Sequence, residues 1–126
     1  MTLIEVSIGE LLDKLTILEI KKERISDPLK LQHIEKEFFI LKERSEEYLR
    51  SEEISAIFEE LKKVNSDLWV IEDDLRDMES QKRFDSEFVE KARAVYFTND
   101  RRFELKNEIN LLAGSAIREQ KGYKKY

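Results

Sequence analysis

The chain has 126 residues, 40% of them charged and 40% hydrophobic, with a formal net charge of −5. It has no Cys and one His, which excludes disulfides, thiolate metal sites, cysteine nucleophiles and any metal site needing two histidines. Heavy use of Glu, Lys, Leu, Arg and Ile, with three Gly and one Pro, is the composition of long helices in a chain of single-domain length.

From the amino end, Met1-Thr-Leu-Ile-Glu-Val-Ser has neither the basic start nor the long apolar stretch of a signal peptide. Ser7 and Glu10 form a capping-box pattern that opens a first helix at about 7–26, with Val6 and Leu11 at the staple positions. Ile8, Leu11, Leu12, Leu15, Leu18 and Ile25 share one stripe of it, while Ile17 and Ile20 fall on the far side. Asp27-Pro28 is a helix start, because Pro at the first helical position gives up an N–H that had no partner there. The second helix is expected over 28–49, with Leu31, Ile34, Phe38, Leu41 and Tyr48 inward and Leu29 and Ile40 outward.

Ser51 caps a third helix over 52–80. Its apolar residues Ile54, Ile57, Leu61, Val64, Leu68, Ile71, Leu75 and Met78 alternate spacings of three and four, a coiled-coil seam that favours shallow packing. Asp85 caps a fourth helix at about 86–121, with Phe88, Ala92, Val95, Tyr96, Phe103, Ile109, Ala113 and Ile117 on one face. Gly122 is the expected stop rather than Gly114, because the periodicity continues past Gly114. The tail Lys121-Gly-Tyr-Lys-Lys-Tyr is short and basic.

The connection around Arg83 is short, so the third and fourth helices should fold into an antiparallel hairpin. Facing residue numbers then sum to about 166. This register sets Met78 against Phe88, Leu75 against Ala92 and Ile57 against Ile109. It also sets Lys106 opposite Glu60, Asn99 opposite Asp67, and Glu72 near Arg93. The expected fold is all-α, an antiparallel four-helix bundle or pair of helical hairpins, as one domain over residues 1–126.

That register gathers a polar seam of Asp67, Glu72, Arg93, Asn99, Asp100, Arg101, Arg102, Lys106 and Asn110. Several donors between helices can hold a phosphate or carboxylate, with Trp69, Tyr96 and Phe103 as an apolar wall. The same residues can equally be interhelical ion pairs with snorkelling stems, and a core Asn can fix register. Ion-pair networks are common between charged helices, so the structural alternative is the favoured one.

No metal site is expected. No Glu-x-x-His occurs, and Glu43/Glu46 and Glu87/Glu90 supply only half of a paired acidic motif. His33 reads as a solvated or partly packed histidine. Arg101-Arg102 with Tyr96 and Phe97, and the basic tail, make a small patch that the negative net charge sets against nucleic-acid binding. No apolar run approaches the roughly 20 residues of a membrane span, so the expected location is the cytoplasm. Ile17, Ile20, Leu29, Ile40 and Val70 lie off the main stripes and suggest a second packing layer or a homodimer face.

Val6-Ser-Ile-Gly-Glu-Leu-Leu-Asp-Lys-Leu-Thr-Ile-Leu-Glu-Ile-Lys and Ala92-Arg-Ala-Val-Tyr-Phe-Thr-Asn-Asp-Arg-Arg resemble a family of short all-helical bacterial and phage proteins with no assigned function. The resemblance implies a complete, free-standing protein and brings no activity or cofactor with it. The expected role is a non-enzymatic interaction or assembly protein, dimeric, without cofactor. The alternative is a binder of, or enzyme on, a small phosphorylated or carboxylated molecule. There Arg93, Arg102 and Lys106 would hold the anion, and Asp67 or Glu72 would orient it or act as base.

Overall fold

The computed structural model describes residues 1–114 and Gly122. Four helices follow in chain order: α1 (Ile8–Arg24), α2 (Pro28–Leu49), α3 (Glu52–Ser80) and α4 (Ser86–Ala113). No strand occurs among the described residues, and the fold is an all-α four-helix bundle.

Each helix starts on a side-chain cap that satisfies amides left without an intrahelical partner. Ser7 Oγ accepts from the Glu10 amide, and Asp27 Oδ1 from the Leu29 and Lys30 amides. Ser51 Oγ accepts from the Ile54 amide, and Asp85 Oδ1 from the Phe88 amide. The α3 C-terminus closes as a Schellman turn, with the Arg83 amide donating to the Met78 carbonyl and the Lys82 amide to the Glu79 carbonyl. That turn needs a left-handed residue, and Lys82 supplies it at φ 52°. α4 ends at Ala113, where Gly114 takes φ 68° and its amide bonds back to the last turn. The helix therefore closes at Gly114 and not at Gly122; the periodicity through Ile117, and the basic tail apart from Gly122, fall on residues outside the described ones.

Two ion pairs, Asp74–Lys91 and Glu60–Arg101, lie along an antiparallel α3–α4 hairpin. α1 runs antiparallel to α4, since Gly9 meets Asn110 and Asp13 meets Arg102. Leu11 and Tyr48 line one cavity, which sets α2 antiparallel to α1. Leu12 and Leu15 of α1, Ile54, Phe58, Leu61 and Val64 of α3, and Leu105 and Ile109 of α4 form the core. α2 is peripheral: only Ile34 and Ser45 of its residues are buried.

α1 packs on all three other helices, so one apolar stripe cannot describe it. Ile20, expected on the far side, is 1% exposed and belongs to the interior. Ile17 is half-buried, whereas Leu29, Ile40 and Val70 are exposed. At 1.5 Å per residue, α1 is about 25 Å long and α3 about 43 Å. The α3–α4 hairpin therefore extends beyond α1 as a two-helix arm. Among the described residues no helix is long and apolar enough to cross a membrane.

Candidate functional site

The polar seam forms where α1 lies across the lower half of the hairpin. Gly9, Asp13, Thr16 and Ile20 recur at helical spacing on α1, and Asn99, Arg102, Lys106 and Asn110 do so on α4. The two stripes face each other. Gly9 permits the approach: a Cβ there would stand 2.4 Å from the Lys106 carbonyl oxygen and 2.8 Å from Asn110 Oδ1. The Gly9 amide donates to Asn110 Oδ1 at 2.7 Å, which locks the crossing.

Asp13 is the centre of the seam, 1% exposed. It accepts from Arg102 through both oxygens, with Nε at 2.9 Å from Oδ1, so the guanidinium grips it as a fork. Asn65 of α3 donates Nδ2 to Asp13 Oδ1 at 2.9 Å and to Thr16 Oγ1 at 2.8 Å. The Thr16 hydroxyl in turn donates to the Asp13 carbonyl at 2.7 Å. One turn further along, Lys106 is buried and donates Nζ to Glu10 Oε2 at 2.9 Å. At the far end of α1, Lys62 of α3 pairs with Glu23 at 2.7 Å and Glu19 at 3.5 Å. The hydrogen bond that Lys62 donates to Glu23 raises the Lys62 pKa against the opposing effect of burial.

The expected pairings therefore hold only in part. Lys106 faces Glu10, and Glu60 takes Arg101. The expected register considered two helices, but Lys106 lies on the side of α4 that α1 covers, while Arg101 lies on the other side. Asn99 is half-buried and Asp67 exposed, with no hydrogen bond or ion pair joining them. Glu72 and Arg93 are both exposed, and no ion pair joins them either; the Arg93 guanidinium lies 5.9 Å from the centre of the Phe97 ring. Trp69 is half-buried and Tyr96 is 43% exposed, its ring 5.3 Å from that of Phe97. Of the nine expected site residues, Arg102, Lys106 and Asn110 come together around α1.

Four members of the seam were not expected: Glu10, Asp13, Thr16 and Asn65. The signal for two of them was present, since Asp13 and Thr16 form with Gly9 a small-and-polar stripe on an amphipathic helix. Glu10 was accounted for as a capping residue; its amide does bond Ser7, but its carboxylate goes to Lys106.

Chemically, the seam holds carboxylates matched by cations and neutral donors. One donor is left over: Asn110 is 1% exposed and its Nδ2 has no partner. Among the described residues, no group of three or more His, Asp or Glu side chains is placed to hold a metal ion. His33 is exposed.

Neither a curated protein nor a solved structure matches the chain significantly. The family of unknown function DUF6165 matches residues 2–126, and the chain belongs to that family.

Proposed function

We propose that this is a non-enzymatic helical interaction or assembly protein that associates with itself. The observation that carries this reading is the commitment of the two inward cations. Arg102 is held by Asp13, and Lys106 by Glu10. A site for a small anion needs cations whose charge is left for the ligand. Here the nearest cations are matched by carboxylates from α1, so their charge acts within the fold. A buried pair of this kind fixes which helices meet and in what register.

The exposed apolar residues supply the means of association. Leu29, Phe39 and Ile40 on α2 and Val89 on α4 are each close to half exposed or more. Such residues over several helices fit a surface that meets another protein.

Light scattering across a concentration series, with a thermal-shift screen of phosphate- and carboxylate-bearing metabolites, tests the reading. The expected result is a concentration-dependent mass increase and no shift. A ligand at 100 times its dissociation constant stabilises a fold by about 2.7 kcal/mol. A shift of that size in a strictly monomeric protein would overturn the assembly reading in favour of anion binding.

A further inference from the structure

α2 turns only one side toward the rest of the fold. Ile34 and Ser45 are buried there, and Leu31, Phe38, Leu41 and Tyr48 are half-buried along the same stripe. The opposite side is exposed along the whole helix and still carries large apolar side chains. Leu29 is 70% exposed, Phe39 72% and Ile40 47%. At about 100° per residue, the outward line of α2 runs through Lys36 and Glu43, with Phe39 and Ile40 between them on either side of it.

The charges around that apolar centre are antisymmetric. Glu35, Lys36 and Glu37 precede Phe38-Phe39-Ile40-Leu41, and Lys42, Glu43 and Arg44 follow it. Counted outward from the midpoint between Phe39 and Ile40, each charge has its opposite at the same distance: Glu37 and Lys42, Lys36 and Glu43, Glu35 and Arg44. Pairing within the helix does not account for the pattern. Glu35, Lys36, Glu37 and Glu43 have no Lys, Arg, Asp or Glu of opposite sign three or four residues away, where helical neighbours meet. Among the described residues, no ion pair involves any of these charged side chains.

A second α2 laid antiparallel across this face, about a two-fold axis at that midpoint, brings unlike charges together. Lys36 of each copy then stands level with the partner's Glu43, on the contact line itself. Such an axis also sets each flank of one helix against the same flank of the other. Glu35 and Lys42 share one flank, seven residues apart, and Glu37 and Arg44 share the opposite one. Each flank thus offers a carboxylate and a cation to its own copy in reverse order. Phe39 meets Phe39 and Ile40 meets Ile40 across the axis, forming the apolar centre. A parallel pair would instead set Lys36 on Lys36 and Glu43 on Glu43, and the charges would repel.

We infer that the outward face of α2 is the surface on which a second copy of the chain docks, antiparallel, across Phe39 and Ile40. The inference rests on the self-association proposed above and names its site. The 22 residues of α2 make a contact about 33 Å long and one helix wide. That places the interface toward the small end of specific contacts and predicts a weak dimer.

The test is charge exchange read by sedimentation of the full chain. Lys36→Glu sets carboxylate against carboxylate on both sides of the apolar centre and is expected to raise the dimer dissociation constant about tenfold or more. Glu43→Lys alone is expected to do the same, and the two changes together in one chain to restore most of the affinity. Circular dichroism and thermal melts of each variant report on folding independently, since both sites are exposed. Orientation has its own readout, because the chain has no Cys. On mild oxidation, Lys36→Cys mixed with Glu43→Cys should form a disulfide-linked dimer faster than either variant alone. A dimer indifferent to the single exchanges, or not recovered by the double one, overturns the α2 face but leaves self-association standing. Preferential cross-linking of Lys36→Cys to itself overturns the antiparallel arrangement. A protein that stays monomeric at every concentration overturns both the α2 face and self-association.

Discussion

Gly9 is the residue on which the α1–α4 crossing turns. In an ordinary helix interior, Gly→Ala stabilises by about 0.5–1 kcal/mol, because alanine has less backbone entropy to lose. At Gly9 the new methyl would stand 2.4 Å from a backbone oxygen, and backbone cannot swing aside as a side-chain tip can. Gly9→Ala is therefore expected to destabilise by about 1–3 kcal/mol in urea unfolding. A neutral or stabilising result would mean that the helices do not touch there. Lys82 presents the opposite case. It occupies the left-handed position of the Schellman turn at φ 52°, where glycine is the usual residue. Lys82→Gly should gain about 1 kcal/mol in the same assay, since a side chain pays roughly that for the conformation; a loss of stability would contradict the turn geometry.

At the scale of the element, the helix starts were the most legible part of the sequence. Ser7, Asp27, Ser51 and Asp85 each cap by a hydrogen bond within three residues, so a local pattern suffices to find them. The Asp85 cap has a pH signature. Arg83 beside it, with the Phe88 amide, holds the Asp85 carboxyl below its ordinary value of 3.8. A lowered pKa in the folded state means that the cap contributes fully above the ordinary value. Its contribution fades as pH falls through the lowered one. The Phe88 amide resonance should therefore titrate with a midpoint below 3.8. A midpoint at or above that value would mean that the cap and its Arg83 partner are not formed. The end of α4 was less legible, because apolar spacing runs on past Gly114 while the left-handed backbone that stops the helix leaves no mark on periodicity.

For the molecule as a whole, what escaped the sequence is what depends on three helices at once. The antiparallel hairpin could be read from two apolar patterns, and in the structure Asp74 of α3 pairs with Lys91 of α4. It could not show that α1 would lie against Lys106 and Arg102, because a long-range contact between positions about a hundred residues apart has no local trace. Asp13 is buried beside Leu12 and Leu15; only its partners make it affordable there, since a lone buried carboxylate costs several kcal/mol. Three of the candidate residues, Arg102, Lys106 and Asn110, turn out to be the α4 half of that contact. The most direct measurement is a double-mutant cycle in chemical unfolding with Asp13→Asn, Arg102→Gln and the pair. Closure of the seam by α1 predicts a coupling energy of about 1–3 kcal/mol between the two positions. Changes that add within about 0.3 kcal/mol would show that Arg102 and Asp13 do not depend on each other and that α1 does not close the seam.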